Sequence, residues 1–554
     1  MALGDHGGLG LKDRYGLLQR GLFPETLPPC FTSKDIKRAL VGLVRELNSK
    51  NFHKRPTDYV RYSGTKHDGS RRYFGSPNPI SYFFVADFIA NNWQIFEERF
   101  AKSPFSVSQP KIASESDDRP IVIQSLSELT TVASRKLRYS SHILKADISQ
   151  FFPSVYTHSI AWSAHGIDAA KIDQDPKSKK IHFNELDLHV RNCQLSESRG
   201  ILVGPDAFRL IAEFIAAGID SELDNKIKQL TVGVARHVDD YYIGLKAESD
   251  ALIALSALRD TLQRFSLNIN DNKTKIMVGT EPLNDLWAQE LRATSRDLRG
   301  VFGGTDISNI ILFISKSIAI SHEIKSDSPI KIALRTMDQI KIYQSFSWGQ
   351  VEPYLQRIMF HHSHCVDYVA LIVVKRIALG KEIDRDGWKE LCYTLIERHL
   401  ALNHHHEVVW LTWLLLSSKI DITERVVTRL AENPNAHIRA LVIAAYLDGR
   451  IAKKPPIGLG GKLPTTDNNW LVNLVAKAGG YTGASFSGLL ASEFDHLAKK
   501  KIKLIDLKSH LSIAKNKKAH AISRTRYGYD GDDYEEDDDD FLNIRLHHNH
   551  TVFG

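Results

Sequence analysis

The chain has 554 residues, 43% hydrophobic and 25% charged, ordinary proportions for a folded soluble protein and enough for roughly three or four domains. Its net charge is +7, and with the nine acidic residues of the run 530–540 set aside the remainder carries about +16, a basic excess compatible with a polyanionic partner. The four cysteines form no C-x-x-C pair, the Gly-rich start lacks the apolar core of a signal peptide, and the longest apolar runs, such as 408–416, are too short for a bilayer; a reducing cytoplasmic setting without membrane contact is therefore expected, and a disulfide framework is not.

Residues 1–30 read as loop. The run Arg20-Gly21-Leu22-Phe23-Pro24, with Pro28 and Pro29 beyond it, predicts an extended segment that packs onto another part of the chain. Ile36, Leu40, Leu43, Val44 and Leu47 fall at helical spacing and predict a helix over 33–48. In Lys66-His67-Asp68-Gly69-Ser70-Arg71-Arg72 an Asp-Gly turn joins basic arms, which predicts a hairpin. Cations so placed suit a triphosphate, or only a solvated surface.

A core helix is expected at 80–100, a strand at 119–125 and a helix at 126–137. The apolar run from His142 ends at Asp147, and Phe151-Phe152-Pro153 turns sharply into a helix. A polar span from 166 to 198 becomes helical near 185–193. Gly204-Pro205 starts a helix that runs to about 226; the glycine lets the backbone approach a flat ligand, or serves only the turn into the helix. Apolar runs at 230–234 and 243–245 flank Arg236-His237-Val238-Asp239-Asp240-Tyr241-Tyr242 and predict two strands with Asp239 and Asp240 at the tip of a tight turn. An Asp-Asp turn alone is ordinary. Beside a second strand ending in Asp147 it becomes the ligand set of two-metal phosphoryl transfer. A helix at 249–265 and short strands around the polar turn of 267–278 follow.

Past 305 helices are predicted at 306–321, 328–345, 350–360, 366–378, 385–399, 407–418, 422–431 and 436–448. They are short, amphipathic and without a strict repeat, and stacking them in pairs suggests an α-solenoid. Residues 453–461 read as a linker. Lys499, Lys500, Lys501, Lys503, Lys508, Lys515, Lys517 and Lys518 make a basic stretch, a phosphate track or a solvated helix face. The patches 361–365 and 404–406 are rich in histidine but lack the paired spacing of a zinc module, and read as satisfied surface or core histidines.

In order along the chain these motifs resemble the fingers and palm of reverse transcriptases. Lys66-x-x-Gly69-x-x-Arg72, followed by Pro77, resembles the fingers hairpin. Asp147-Ile148-Ser149-Gln150-Phe151-Phe152-Pro153-Ser154 is similar to the first catalytic motif, Gly200-x-x-x-Gly204-Pro205 to the second, Val238-Asp239-Asp240 to the third, and Leu267-Asn268-Ile269-Asn270-x-x-Lys273-Thr274 to the fourth. His237 stands where that family carries tyrosine, and Gly-Pro-Asp-Ala-Phe-Arg where it carries Gln-Gly and a serine-rich segment. The variant second motif, the Arg20-to-Pro24 opening and the long helical C-terminus together resemble the bacterial abortive-infection, defence-associated reverse transcriptases.

The resemblance implies an α+β fold: right-hand polymerase fingers and palm, an antiparallel sheet with helices, followed by an all-α HEAT-like C-terminal region. The implied divisions are an N-terminal extension at 1–60, fingers and palm at 61–300, a HEAT-like repeat region at 301–452, a basic helical segment at 453–525 and an acidic flexible tail at 526–554. It implies nucleotidyl transfer from dNTPs, with Asp147 and Asp239 holding two Mg²⁺ ions (Mn²⁺ as a substitute), and Asp240 and the Ile148 carbonyl completing the metal shells. Lys66 and Arg72 would grip the triphosphate, Lys273 would protonate pyrophosphate, Phe152 would exclude a 2′ hydroxyl, and Gly204 and Pro205 would line the substrate site. Implied partners are a DNA product, a non-coding RNA as template or no template at all, and a second copy or a partner reverse transcriptase. A tail tyrosine among Tyr527, Tyr529 and Tyr534 would serve as primer, or none would. Two other readings stand beside this one. An RNA-dependent RNA polymerase shares the first and third motifs. An RNA-binding scaffold or toxin would keep the palm only as structure, which the retained carboxylates argue against.

Overall fold

The computed structural model describes residues 15–40, 43, 55–115, 117–123, 126–283, 285–295, 298, 306–509 and 511. Of the helix expected at 33–48, residues 36–40 are helical, while 41, 42 and 44–48 lie outside the described residues, as do Lys515, Lys517 and Lys518, the acidic run and the three tail tyrosines.

A basic hairpin forms where Asp68-Gly69 predicts it. Strands β1 (Val60–Thr65) and β2 (Arg71–Ser76) pair antiparallel, Thr65 opposite Arg71. The expected helix at 80–100 is two, Pro79–Asn91 and Trp93–Lys102. The break falls at Asn92, whose side-chain amide donates to the Phe88 carbonyl. Helix α1 (Leu126–Leu137) then leads into β3 (His142–Asp147). The long α2 (Asp206–Ile227) precedes β4 (Thr231–His237) and β5 (Asp240–Leu245), and α3 (Asp250–Arg264) precedes β6 (Lys275–Val278).

These four strands form one antiparallel sheet in the order β4-β5-β3-β6. Strand alternation gives it two apolar faces. Leu144, Ala146, Tyr241, Ile243 and Leu245 join the main core with residues of α2 and α3. On the other face Ile143, Ala235, Tyr242 and Met277 pack with Val107 and with Ala133 and Leu137 of α1. Gly233 and Gly244 stand opposite each other where the end of α1 crosses the sheet; a Cβ on Gly233 would meet the Lys136 carbonyl oxygen at 2.5 Å. Helix and sheet approach that closely because neither glycine carries a side chain.

After the helix Leu286–Ser295, the described residues form Ile307–Ile324, Ser328–Gln339, Trp348–His361, Val366–Ala378, Arg385–Ala401, His405–Ser417, Glu424–Glu432 and Ala436–Leu447, the eight helices predicted past 305. Each starts within a few residues of its predicted place. The second ends early, because Lys341 takes the left-handed φ of 57° and Ile342–Gln344 tightens into a 3₁₀ turn. Ile307–Ile324 has the length and mean hydropathy (1.3) of a membrane span, though no unbroken apolar run marks it in the sequence; it buries Ile310, Phe313 and Ile314 in the main core. The segment expected to be helical from 453 is mixed. A parallel pair, Lys462–Pro464 with Ser485–Ser487, accompanies the helices Trp470–Ala478 and Ala491–Lys499. Glycines at 458, 460, 461, 479, 480, 483 and 488 interrupt helical continuity there.

The extended segment predicted from the early prolines runs between the palm and the C-terminal helices. Gly21 O accepts from the backbone of Asp206, Thr26 O accepts from Trp410 Nε1 at 2.8 Å, and Thr32 N–H donates to Leu504 O at 3.0 Å.

Candidate active site

The turn between β4 and β5 is the two-residue link Val238-Asp239, because His237 pairs with Asp240 across it. Asp240 is therefore not at the tip, as the sequence suggested, but is the first residue of β5, directly opposite Asp147 of β3. Residues opposite one another in a sheet share a face. His237, Asp240 and Asp147 thus form one row across three strands, with Asp239 above it in the turn. The Ile148 N–H donates to the Asp239 carbonyl at 3.2 Å, which ties the exit of β3 to the turn. Ile148 also bridges Ile269, and Asn270 N–H donates to the Asp147 carbonyl at 2.7 Å, so the fourth motif closes on the first.

Asp147 and Asp239 are both buried. Burial first, then the charges of Asp147 and Asp240, push the Asp239 carboxyl well above its ordinary range, against the opposing charge of Lys273. Lys273 Nζ lies 3.0 Å from Asp147 Oδ2. Asp239 Oδ1 is buried with no hydrogen-bond partner among the described residues. Hard oxygen donors crowded at one sheet end, one of them orphaned, are a donor set that fits divalent cations.

Phe152 is buried beside Phe151, and its carbonyl accepts from Ile201 N–H at 3.0 Å, which fixes it to the second-motif loop. That loop bonds in turn to the basic hairpin, where Gly75 N–H donates to Val203 O at 3.0 Å. Gly204, at φ 123°, is spoken for by the fold: a Cβ there would meet Pro24 at 2.5 Å, so the glycine admits the chain's own N-terminal segment. Pro205 is buried with it, and Asp206 beyond is ion-paired with Arg119 (2.9 Å) and Arg209 (3.2 Å).

Lys66 sits at the end of the hairpin, 3.7 Å from Asp68 Oδ2, and Arg72 on β2 is half-buried opposite Gly64. The adjacent Arg71 is bound within the protein. Its guanidinium donates to both oxygens of Glu407 (2.8 and 3.2 Å), and Thr65 N–H donates to the same carboxylate at 3.0 Å. Both histidine-rich patches dock here as well. His364 bonds the Thr65 carbonyl at 2.7 Å, and Tyr62 stacks on His406. His399, His404 and Glu407 bring possible ligand atoms within 4.8 Å of one another, but Glu407 is committed to Arg71 and the two histidines bond each other at 3.1 Å.

Sequence reasoning missed Arg236. It is fully buried beneath the turn and ion-paired to Glu213 (2.8 Å) and Asp220 (2.7 Å) of α2. The available signal was two carboxylates seven residues apart, hence on one face, in the otherwise apolar stretch 210–220 of that helix.

The reverse transcriptase (RNA-dependent DNA polymerase) family model matches residues 91–305, which take in all four palm motifs. No curated protein matches the chain. Among solved structures, apo telomerase from Candida tropicalis shares 11% identity at a TM-score of 0.28, with 66% of this chain and 65% of that one covered. Telomerase from Candida albicans, in complex with a TWJ fragment of telomeric RNA, shares 11% identity at a TM-score of 0.26, with coverages of 64% and 66%. The chain thus spans just under two thirds of the length of each. The four ordered motifs and the row of carboxylates thus all fall within residues 91–305, the part of the chain that is similar to the reverse transcriptase (RNA-dependent DNA polymerase) family.

Proposed function

We propose that this chain is a reverse transcriptase-type DNA polymerase of a bacterial antiviral defence system, extending a 3′ or protein hydroxyl with dNTPs, templated by a partner RNA or untemplated. The observation that carries the chemistry is the meeting of Asp147, Asp239 and Asp240 at one end of the palm sheet. Asp147 and Asp239, with Asp240 and the Ile148 carbonyl, would hold two Mg²⁺ ions. Such ions lower the pKa of the attacking hydroxyl and stabilise the leaving oxygen when bound.

The chain's own groups do the rest. Lys273 hands a proton to departing pyrophosphate; its ammonium already lies beside Asp147. Lys66 and Arg72, on the hairpin that the Gly75–Val203 bond fastens to the palm, hold the triphosphate and offset charge developing on it. Phe152, locked by burial and by its bond to Ile201, fills the space of a 2′ hydroxyl and selects deoxynucleotides. The defence role rests on the resemblance of the second motif, the Arg20-to-Pro24 segment and the helical C-terminus to abortive-infection enzymes. With it go a cytoplasmic location and assembly with a second copy or a partner reverse transcriptase.

The test is to purify the protein with whatever nucleic acid accompanies it and supply dNTPs singly and together with Mg²⁺. The product is then sequenced and probed for a covalent link to protein. Incorporation that Asp239→Ala abolishes is the expected result. Wild-type preference for rNTPs would replace this reading with an RNA polymerase. Full anti-phage protection by Asp239→Ala would replace it with a scaffold.

A further inference from the structure

The catalytic turn is strained. Val238 has φ 53°, in the left-handed region, where a β-branched side chain is a steric outlier. Such a conformation persists only where its surroundings over-determine it. The surroundings here are specific. Val238 N–H donates to Ser108 Oγ at 2.9 Å, and Val238 O accepts from Arg236 Nη1 at 2.8 Å. Both polar groups of the strained residue are therefore held, one from each side.

The holders are themselves fixed. Arg236 Nε donates to Asp220, Nη1 to Glu213 as well as to Val238 O, and Nη2 to both Glu213 and Asp220. Every guanidinium N–H is used. Ser106 Oγ–H donates to Glu213 and Ser103 Oγ–H to Asp220, each at 2.6 Å, and Tyr241 O–H reaches Asp220 at 2.9 Å. The main chain of Arg236 is clamped as well: its N–H donates to Phe105 O, and its carbonyl accepts from Val107 N–H, both at 2.8 Å. The 103–108 segment thus seals the free edge of β4 and delivers Ser108 to the turn. So large a buried ionic group is weak evidence of stability, since desolvation opposes it, and its better-attested use is to specify one conformation.

We propose that Arg236 and Ser108, anchored by Glu213 and Asp220, are positioning residues that enforce the left-handed backbone of Val238 and thereby set the Asp239 carboxylate against Asp147. This rests on the polymerase reading for its consequence in turnover, but not for its consequence in metal binding. Without the clamp the turn relaxes, Asp239 swings from the carboxylate row, and the divalent-cation site loses one of its donors.

The decisive variants are Ser108→Ala, which deletes one hydrogen bond at the turn, and Ser108→Ala combined with Val238→Gly. Glycine adopts a positive φ without strain, so it removes the need for the clamp. Mn²⁺ affinity is measured by electron paramagnetic resonance, kcat and dNTP KM by incorporation, and folding by thermal unfolding. Ser108→Ala is expected to weaken Mn²⁺ binding and lower kcat by about tenfold, with KM within about twofold of wild type; a displacement of even 1 Å can do this. Val238→Gly is expected to restore most of both losses. Arg236→Lys, which cannot span Val238 O and both carboxylates, should behave like Ser108→Ala and be rescued the same way. The proposal is overturned if Ser108→Ala matches wild type in Mn²⁺ affinity and kcat, or if its losses follow the melting temperature and glycine recovers nothing. A wild-type protein that incorporates no nucleotide, while Ser108→Ala still weakens Mn²⁺ binding, would remove the polymerase reading and leave the clamp standing.

Discussion

Asp239 is where catalysis and stability pull apart. Its carboxyl is raised first by burial and then by the charges of Asp147 and Asp240. An acid whose folded pKa lies above its unfolded value binds its proton more tightly in the native state, so stability falls as pH rises from the unfolded pKa, near 3.8, through the folded one. At neutral pH the metal-free site therefore works against the fold. Asp239→Asn should raise the melting temperature of the metal-free protein by a few degrees, at about 4 °C or less per kcal/mol in a chain this long, and should abolish incorporation. Calorimetry with and without Mg²⁺ checks this: Mg²⁺ should stabilise wild type and do much less for the variant, and a less stable metal-free variant would refute it. His237, one place along the same row from Asp240, gives a second test. It is buried, at the position where the reverse transcriptases that the motif resembles carry tyrosine. His237→Tyr should fold, since an aromatic replaces an aromatic, and should change dNTP KM more than Mg²⁺ dependence in single-nucleotide incorporation. Equal change in both would mean that the ring shapes the metal site instead.

The basic hairpin behaves as an element only in company with the C-terminal helices. Glu407 is fully buried, and burial alone would raise its pKa; His406, the hydrogen bonds and charge of Arg71, and Thr65 more than reverse this and bring it to about 2. A depressed acid contributes stability that is present above its unfolded pKa, near 4.5, and lost as pH falls towards 2. The contribution at neutral pH is on the order of a few kcal/mol. Glu407→Gln should cost about that much in urea unfolding at pH 7, and the gap from wild type should close between pH 4.5 and 2. A constant gap over that range would mean that the side chain acts by shape rather than charge. None of this was visible beforehand, because Arg71 and Glu407 are 336 residues apart and no spacing rule links them. What could be read were the local features. Asp-Gly between basic arms marked the hairpin, apolar periodicity marked the helices, and motif order brought Asp147 to Asp239 and Asp240. The turn was misread by one residue because an Asp-Asp pair suits a tip so well; the strained Val238 takes that place instead, and only the contacts of Arg236 and Ser108 make that conformation tenable.

At the scale of the molecule, palm and helices share one interior. The main core runs without a break from Leu17 through the sheet residues to Leu507. The segment between Gly21 and Thr32 bonds the palm at Asp206, the helices at Trp410 and the late chain at Leu504. Long chains ordinarily unfold domain by domain, but here removing either half strips a buried face from the other. Denaturation should therefore be a single transition. Five of the eight tryptophans, the fully buried Trp348, Trp388, Trp410, Trp413 and Trp470, lie in the C-terminal helices; with Trp93, Trp162 and Trp287 replaced by phenylalanine, fluorescence reports on the helices, whereas nucleotide incorporation reports on the palm. In a urea titration the loss of incorporation and the shift in tryptophan fluorescence should share one midpoint. Incorporation that survives after the fluorescence change is complete would show that the palm stands by itself. The helices would then be an appendage rather than the wall against which the hairpin of Lys66 and Arg72 is set.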